Sequence, residues 1–179
     1  MSEQTIRLAV GTDLAAINDI YNWYIPRSTC TYQEEPEPIE SRQRWFQTHA
    51  KTGRHPVTVA VNDGEVVGWG SLSDYRERSA YRYTCESSVY VRQDLHGQGI
   101  GKALVKDLIE RARKLNYHTI IAGADAEQTA SIALHRNLGF VECGRQFQVG
   151  YKFDRWLDVV FMQLMLNASA GEATRQRSS

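Results

Sequence analysis

The chain of 179 residues has few cysteines and prolines, no net charge and no long apolar run. Its three cysteines, Cys30, Cys85 and Cys143, form no CxxC pair, and its five histidines form no HxxxH pair, which argues against a disulfide framework and a structural metal site. Basic and acidic residues both total 21, so the basic excess typical of proteins that bind nucleic acid or anionic membranes is missing. We therefore expect no metal, no nucleic-acid partner and no membrane partner.

The ends of the chain resemble neither a membrane anchor nor a leader. No stretch reaches the roughly 18 consecutive apolar residues of a membrane span, and the first residues, MSEQTIRLAV, lack a signal-peptide pattern. The last 13 residues, NASAGEATRQRSS, are small and polar. The sequence therefore predicts a cytoplasmic protein with one domain over residues 1–166 and a flexible polar tail over residues 167–179.

Strand-like and helix-like segments alternate through the body of the chain. Thr12 is the expected N-cap of the first helix, and Asn62-Asp63-Gly64 predicts a hairpin turn. The predicted strands are 6–10, 57–61, 66–71, 81–91, 119–124, 141–149 and 158–166; helices are predicted after Thr12 and over 41–50, 99–115 and 129–137. This order, βα(α)βββαβαββ, predicts an α/β fold with a mixed, largely antiparallel sheet flanked by helices.

A glycine-rich turn between a strand and a helix is the most informative stretch. Within SVYVRQDLHGQGIGK, residues 88–102, Gly97, Gly99 and Gly101 let the backbone approach a bulky anion. The helix that follows supplies unpaired amides and the positive end of its dipole. The pattern therefore favours a phosphate-binding turn, and the alternative is a plain glycine turn that caps a helix.

Two common phosphate loops do not fit this turn. A Walker A loop needs glycine and Ser or Thr where the chain has His96 and Ala103. A dinucleotide GxGxxG motif needs glycine where the chain has Lys102 or Leu104. The turn therefore belongs to neither class.

Four blocks of the chain carry a resemblance to a known family. The turn HGQGIG at 96–101 is similar to Gln/Arg-x-x-Gly-x-Gly/Ala, and YRYTCESSVYV at 81–91 is similar to a strand ending in Glu-x-Ser-Val-Tyr-Val. LHRNLGF at 134–140 matches Leu-His-x-x-Leu-Gly-Phe/Tyr, and VGYKFDRWLD at 149–158 matches Val-Gly-x-Lys-x-x-x-Trp-x-Asp. Together, over residues 6–166, they resemble the GNAT superfamily, and within it the phosphinothricin and methionine-sulfoximine N-acetyltransferases. The resemblance implies a GNAT-like fold.

The resemblance implies acetyl-CoA as the co-substrate, with its pyrophosphate on the loop amides and its pantetheine arm along the preceding strand. His96 replaces the family's first Gln or Arg, and it is a shorter donor that is usually uncharged. Gln128 replaces an Asn at the start of the penultimate helix and reaches further. The implied cofactor contacts are Val89, Tyr90, Val91, His96, Gly97, Gln98, Gly99, Ile100, Gly101, Lys102 and Gln128.

The resemblance also implies two catalytic residues. Glu86 stands at the family's general-base position, and His135 matches a histidine that these acetyltransferases carry where many other GNAT members have tyrosine. The alternatives are a surface glutamate in an ion pair and a helix histidine packed beside Leu138. A backbone amide within 89–91 is expected to stabilise the thioester oxygen. Tyr90 is either a donor toward the reacting centre or a core aromatic residue.

Two arginines precede the catalytic strand, where the family has basic residues. The planar guanidinium of Arg76 or Arg78 suits a carboxylate or phosphinate, although solvated turn arginines are the common alternative. The implied substrate contacts are Tyr32, Arg76, Arg78, Tyr81, Glu86, Ser87 and Ser88. The implied reaction is acetylation of the amino group of a small amino-acid-like substrate, such as phosphinothricin, methionine sulfoximine or methionine sulfone. A protein N-terminal or lysine acetyltransferase and a catalytically silent CoA-binding module are the alternatives.

The C-terminal strand carries several large apolar side chains. With the resemblance, they predict a homodimer, because an edge strand rich in such residues invites pairing. The alternative is that they face the protein's own core. The residues concerned are Phe153, Trp156, Val159, Val160 and Phe161.

Overall fold

A computed structural model describes residues 4–166, and the predicted tail at 167–179 lies outside the described residues. The strands are β1 (Thr5–Leu8), β2 (Val57–Asn62), β3 (Glu65–Asp74), β4 (Thr84–Val91), β5 (Thr119–Asp125), β6 (Val141–Lys152) and β7 (Arg155–Met165). The helices are α1 (Leu14–Tyr24), α2 (Ile39–Thr52), α3 (Ile100–Lys114) and α4 (Thr129–Asn137). These strands form one sheet in the order β1-β2-β3-β4-β5-β7-β6, in which β4 and β5 run parallel and the other neighbours antiparallel. The predicted fold class is confirmed.

The two faces of the sheet are covered by different helices. On one face, Cys85 of β4 packs with Leu108 of α3 and Phe140. On the other face, Trp69 of β3 packs with Ile17 of α1. Because successive side chains of a strand point to opposite faces, the residue after Cys85, the predicted base, points to the face that α1 covers.

The parallel strand pair at the centre of the sheet is incomplete. β4 pairs with β3 over Cys85–Val91, but it pairs with β5 only over Thr84–Glu86. The Val91 carbonyl accepts a hydrogen bond from Tyr24 on the side that faces away from β3. Since backbone groups alternate in direction along a strand, those of Val89 face the same side, beyond the last β4–β5 pair, Glu86 with Ile121. The sheet therefore contains a gap lined by unpaired backbone of β4.

Most predicted boundaries differ from those of the structure by one to three residues, and two of the differences have a clear physical reason. Thr12 is not an N-cap but lies in a 3₁₀ turn, Gly11–Asp13. The Asp13 carboxylate accepts the Val10 amide at 2.8 Å and pairs with Arg7 at 2.7 Å, and a charged acceptor forms the stronger hydrogen bond.

The strand expected to begin at Tyr81 begins at Thr84 instead. Tyr81 closes a second 3₁₀ turn, Ser79–Tyr81, in which the Arg82 amide donates to the Ser79 carbonyl at 3.2 Å. Because backbone groups of this turn hydrogen-bond within the turn, they are not available to pair with a neighbouring strand.

The expectation that the C-terminal strand is an edge strand is wrong. β7 lies between β5 and β6, and β6 is the edge. Of the residues named for that expectation, Phe153 and Trp156 are exposed, Val159 and Phe161 half-buried, and Val160 buried. The exposed apolar side chains of the edge are instead on β6, where Phe147 is 70% and Val149 52% exposed.

Candidate active site

The gap between β4 and β5 opens into a cleft of about 340 Å³. Its walls are the segment 29–32 after α1, the second half of β4, the end of β5 and α4. Of the predicted site residues, those that line it are Tyr32, Glu86, Ser87, Ser88, Val89, Tyr90 and His135. A second, mostly apolar cavity of about 400 Å³ between α2 and the end of α3 is lined by none of them.

Glu86 presents a half-buried carboxylate to the cleft. Its side chain reaches across to β5, where a Cβ added to Gly123 would lie 3.7 Å from Oε1. Burial raises the pKa of this carboxyl above its usual range. None of the salt bridges within residues 4–166 involves it, which argues against a surface ion pair. A raised pKa makes a carboxylate a better proton acceptor near neutral pH.

His135 is buried at the α4 side of the cleft. Its Nδ1 lies 2.8 Å from the Ser131 carbonyl oxygen. Because a carbonyl only accepts, Nδ1 carries the hydrogen and Nε2 of the neutral ring is an acceptor. Burial lowers the pKa of the imidazole. The ring also packs edge-on against Phe140, with 5.0 Å between the ring centres. His135 therefore packs against the core and lines the cleft at the same time.

The glycine turn has the backbone geometry of an anion cradle. Gly97 and Gly99 have φ of 77° and 83°, and a Cβ added to either would have nothing within 4 Å. The first intrahelical bond of α3 runs from the Ala103 amide to the Gly99 carbonyl at 3.0 Å, so the amides of 100–102 have no helical partner. Gly101 differs, because it lies within α3 and its added Cβ would be 3.4 Å from Leu134.

Of the side chains beside the turn, that of His96 contacts α1, whereas those of Gln98 and Lys102 are exposed. The planes of the His96 and Tyr24 rings are 7° apart with 6.1 Å between their centres, and His96 Nε2 lies 2.6 Å from the Tyr24 hydroxyl. This ring therefore ties the turn to α1. Gln98 and Lys102 are exposed next to the unpaired amides.

Gln128 and Asp125 hold the segment after α1. The Gln128 amide nitrogen lies 3.0 Å from the Thr29 hydroxyl and 3.4 Å from that of Ser28, so this side chain is turned to the segment. The buried Asp125 carboxylate accepts from Thr29 at 3.0 Å and from Tyr32 at 2.7 Å. Sequence reasoning missed Asp125, for which the position between a strand and a helix start was the sole signal.

The structure does not bring the predicted arginines into the cleft. Arg76 and Arg78 are exposed and do not line it. The Arg76 guanidinium packs on Tyr75 and on half-buried Tyr81, at 5.0 and 5.6 Å from the ring centres. A substrate role for these three predicted residues stays a prediction.

Tyr90 and its serine neighbours form the β4 wall of the cleft. The Tyr90 ring stacks on Trp69 at 4.9 Å, and its hydroxyl donates to the Cys30 carbonyl at 3.4 Å. This aromatic residue therefore belongs to the core and also lines the cleft. Ser87 Oγ is buried and has no hydrogen-bond partner among the described residues, while Ser88 is half-buried.

Two kinds of feature are missing from the part of the chain that the structure describes. Among residues 4–166, no group of three His, Cys, Asp or Glu side chains is placed to hold a metal ion. Within that range no helix combines the length and apolar character needed to cross a bilayer.

Comparisons with known proteins agree on one family. A model of the acetyltransferase (GNAT) family matches residues 17–140. The L-methionine sulfoximine/L-methionine sulfone acetyltransferase of Pseudomonas aeruginosa is 45% identical over 164 residues, which are 91% of this chain and 95% of that protein. Among solved structures, a phosphinothricin acetyltransferase from Sinorhizobium meliloti in complex with AcCoA is 37% identical, with a TM-score of 0.89 over 94% of this chain and 91% of that one. A ribosomal-protein-alanine N-acetyltransferase from Brucella melitensis is 43% identical, with a TM-score of 0.88 over 90% and 99%.

Proposed function

This chain belongs to the GNAT family of N-acetyltransferases, and from that premise we propose that it acetylates the amino group of a small amino-acid-like substrate of the methionine sulfoximine, methionine sulfone or phosphinothricin type. Acetyl-CoA is the acetyl donor. The observation that carries the mechanism is the half-buried carboxylate of Glu86, which has no ion-pair partner within residues 4–166 and lies where β4 and β5 part.

The residues present fit acetyl-CoA. The free space beside Gly97 and Gly99 and the unpaired amides of 100–102 suit a pyrophosphate at a helix N-terminus. The open backbone of Val89 suits a pantetheine arm that adds to the strand edge. When bound, the co-substrate supplies an acetyl thioester.

Glu86 acts as the general base in this proposal. At neutral pH a free amino group is an ammonium ion, which has no lone pair for attack. Glu86 takes one proton from it, and the nitrogen then forms a bond to the acetyl carbon. The carbon–sulfur bond breaks, and the second proton lost by the nitrogen ends on the departing sulfur, so that the products are the N-acetyl compound and the CoA thiol. A positioned base contributes roughly 10²–10⁴-fold to such a reaction.

Two other groups complete the site. A backbone amide on the open side of β4, that of Val89, donates to the thioester oxygen as negative charge develops there. His135 is neutral with Nε2 as an acceptor, so it orders a donor group of the substrate or co-substrate in the cleft.

A panel assay of CoA release tests the substrate class. Methionine sulfone, methionine sulfoximine and phosphinothricin are compared with a peptide that begins with alanine, because one similar structure carries a ribosomal-protein-alanine name. We expect release with the amino acids and little with the peptide. Release with the peptide alone would establish a protein acetyltransferase, and release with none would indicate a silent CoA-binding module.

Replacing the base tests the mechanism. Glu86→Gln keeps the size of the side chain but cannot accept the proton, so kcat should fall by about two orders of magnitude at neutral pH. Acetyl-CoA affinity should change little, and the defect should shrink as pH rises because the amine then loses its proton to solvent. Near-wild-type turnover of the variant across neutral and alkaline pH would exclude Glu86 as the base.

A homodimer through β6 is also part of the proposal. β6 is an edge strand whose residues 141–149 are all exposed, among them Phe147 and Val149. A second copy of the chain would cover these side chains and pair the free edge.

A further inference from the structure

The segment 28–32, which we call the substrate-side segment, is fastened to the β6–β7 hairpin by one lysine. Lys152 is only 3% exposed. Its ammonium donates to the Ser28 carbonyl at 2.9 Å and to the Thr31 carbonyl at 2.7 Å. A single cation therefore fixes two carbonyls of the segment at once, and none of the salt bridges described within residues 4–166 pairs it with a carboxylate.

A glycine of the same strand makes room for an aromatic ring. A Cβ added to Gly150 would lie 2.3 Å from Cε2 of Tyr32, closer than any two such atoms approach. The ring therefore lies directly on the backbone of β6. In that position the Tyr32 hydroxyl donates to Asp125 at 2.7 Å and lies 3.2 Å from the Asp158 carbonyl oxygen.

The substrate-side segment is one wall of the cleft that contains Glu86. Thr29, Cys30, Thr31 and Tyr32 all line that cleft. The opposite anchor of the segment is the start of α4, through the hydrogen bonds of Asp125 and Gln128 described above. The shape of the cleft on the amine side thus depends on a hairpin that contributes neither Glu86 nor the glycine turn.

We propose that Gly150 and Lys152 are positioning residues for the amine substrate, acting through Tyr32 and the carbonyls of the substrate-side segment. The inference rests on the proposed function only in that an amine binds beside Glu86. Burying a lysine without a carboxylate partner lowers stability. Here the two hydrogen bonds of Lys152 fix the position of the substrate-side segment relative to the cleft. The glycine is required because any side chain would push the Tyr32 ring away.

Two glycines of β6 provide a matched pair of variants. Gly150→Ala displaces the Tyr32 ring, whereas Gly144→Ala on the same strand adds a Cβ with nothing within 4 Å. We expect Gly150→Ala to raise the KM for the amine about tenfold, roughly the worth of one buried hydrogen bond. The Kd for acetyl-CoA should stay at the wild-type value. Gly144→Ala should match wild type in both.

A double-mutant cycle separates positioning from a general loss of structure. Once Tyr32→Ala has removed the ring, Gly150→Ala should have no further effect on the KM for the amine. Tyr32→Phe keeps the ring but loses the bond to Asp125, and Lys152→Met keeps the length of the stem but loses both carbonyl bonds. Each of these two variants should raise the KM for the amine and leave the Kd for acetyl-CoA unchanged. If Gly150→Ala fails to fold, these two variants test the inference in its place.

The outcomes distinguish this inference from the function on which it rests. If wild type acetylates no amine in the panel, the proposed function fails and the inference fails with it. If wild type is active but Gly150→Ala, Tyr32→Phe and Lys152→Met leave the KM for the amine unchanged, the inference alone is overturned. The same holds if these variants weaken acetyl-CoA and amine equally, because that result indicates a structural role.

Discussion

Gly99→Val should abolish acetyl-CoA binding while the protein still folds. Gly99 has a φ of 83°, and a Cβ at this position would point into open space beside the unpaired amides at the start of α3. A valine side chain would occupy the volume assigned to the pyrophosphate. It would also force a β-branched residue into the left-handed region, which costs about 1–2 kcal/mol.

Gly64 provides a control for the backbone term alone. It has the same φ of 83°, likewise has nothing within 4 Å of an added Cβ, and lies in the β2–β3 turn away from the cleft. Gly64→Val should therefore lose a similar 1–2 kcal/mol of stability. For a chain of this size, that corresponds to a drop in Tm of about 2–8 °C in both variants.

Calorimetric titration with acetyl-CoA distinguishes the two variants. Gly64→Val should bind like wild type, and Gly99→Val should bind at least about a hundredfold more weakly, a loss of about 2.7 kcal/mol. Wild-type affinity in a folded Gly99→Val protein would refute the assignment of the turn. Equal losses in both variants would show that strain, not filled space, causes the defect. Gly101→Val is the poorer test, because its side chain would meet Leu134 inside the fold.

Three further predictions concern the base, the histidine and the edge strand. Because burial raises the pKa of Glu86, its contribution to stability is full below the ordinary carboxyl pKa and is lost as pH rises through the raised one. Glu86→Gln should therefore increase the free energy of unfolding at pH 7 by about 1 kcal/mol and raise the Tm. Equal Tm values for the variant and wild type at pH 7 would contradict this. Because burial lowers the pKa of His135, its ring should be neutral at pH 7 in NMR spectra with Nδ1 protonated, and a charged ring there would be inconsistent with the packing. Sedimentation at micromolar concentration should show a dimer that Phe147→Lys converts to monomer, and a monomeric wild type would exclude the β6 interface.

Local patterns were sufficient to predict the parts of the site that lie on one stretch of chain. The glycine turn and the strand that carries Glu86 are continuous in sequence, so their order could be read from the chain, whereas their roles came from the resemblance and stay predictions. Contacts between distant segments left no such pattern. The Lys152–Ser28 bond joins residues 124 positions apart, and the Asp125–Thr29 bond joins residues 96 apart.

The order of the strands in the sheet could not be predicted from the sequence for the same reason. Nothing in the C-terminal hairpin shows which of its two strands inserts beside β5, so the large side chains of β7 were assigned to an edge that β6 forms. Arg76 and Arg78 show a related limit. Their spacing in the chain could be read, but the placement of their side chains could not, and neither lines the cleft.

The short contact between β4 and β5 also has a mechanical meaning. Only three residue pairs, beginning at Thr84 and Thr119, join the half of the sheet built from β1 to β4 to the half built from β5 to β7. The sheet thus has a seam, and a co-substrate that bridges both sides of it would act as a clamp. Binding to the folded state alone should raise the Tm in proportion to the logarithm of ligand concentration. Amide exchange should slow most at Val89, where the seam is open.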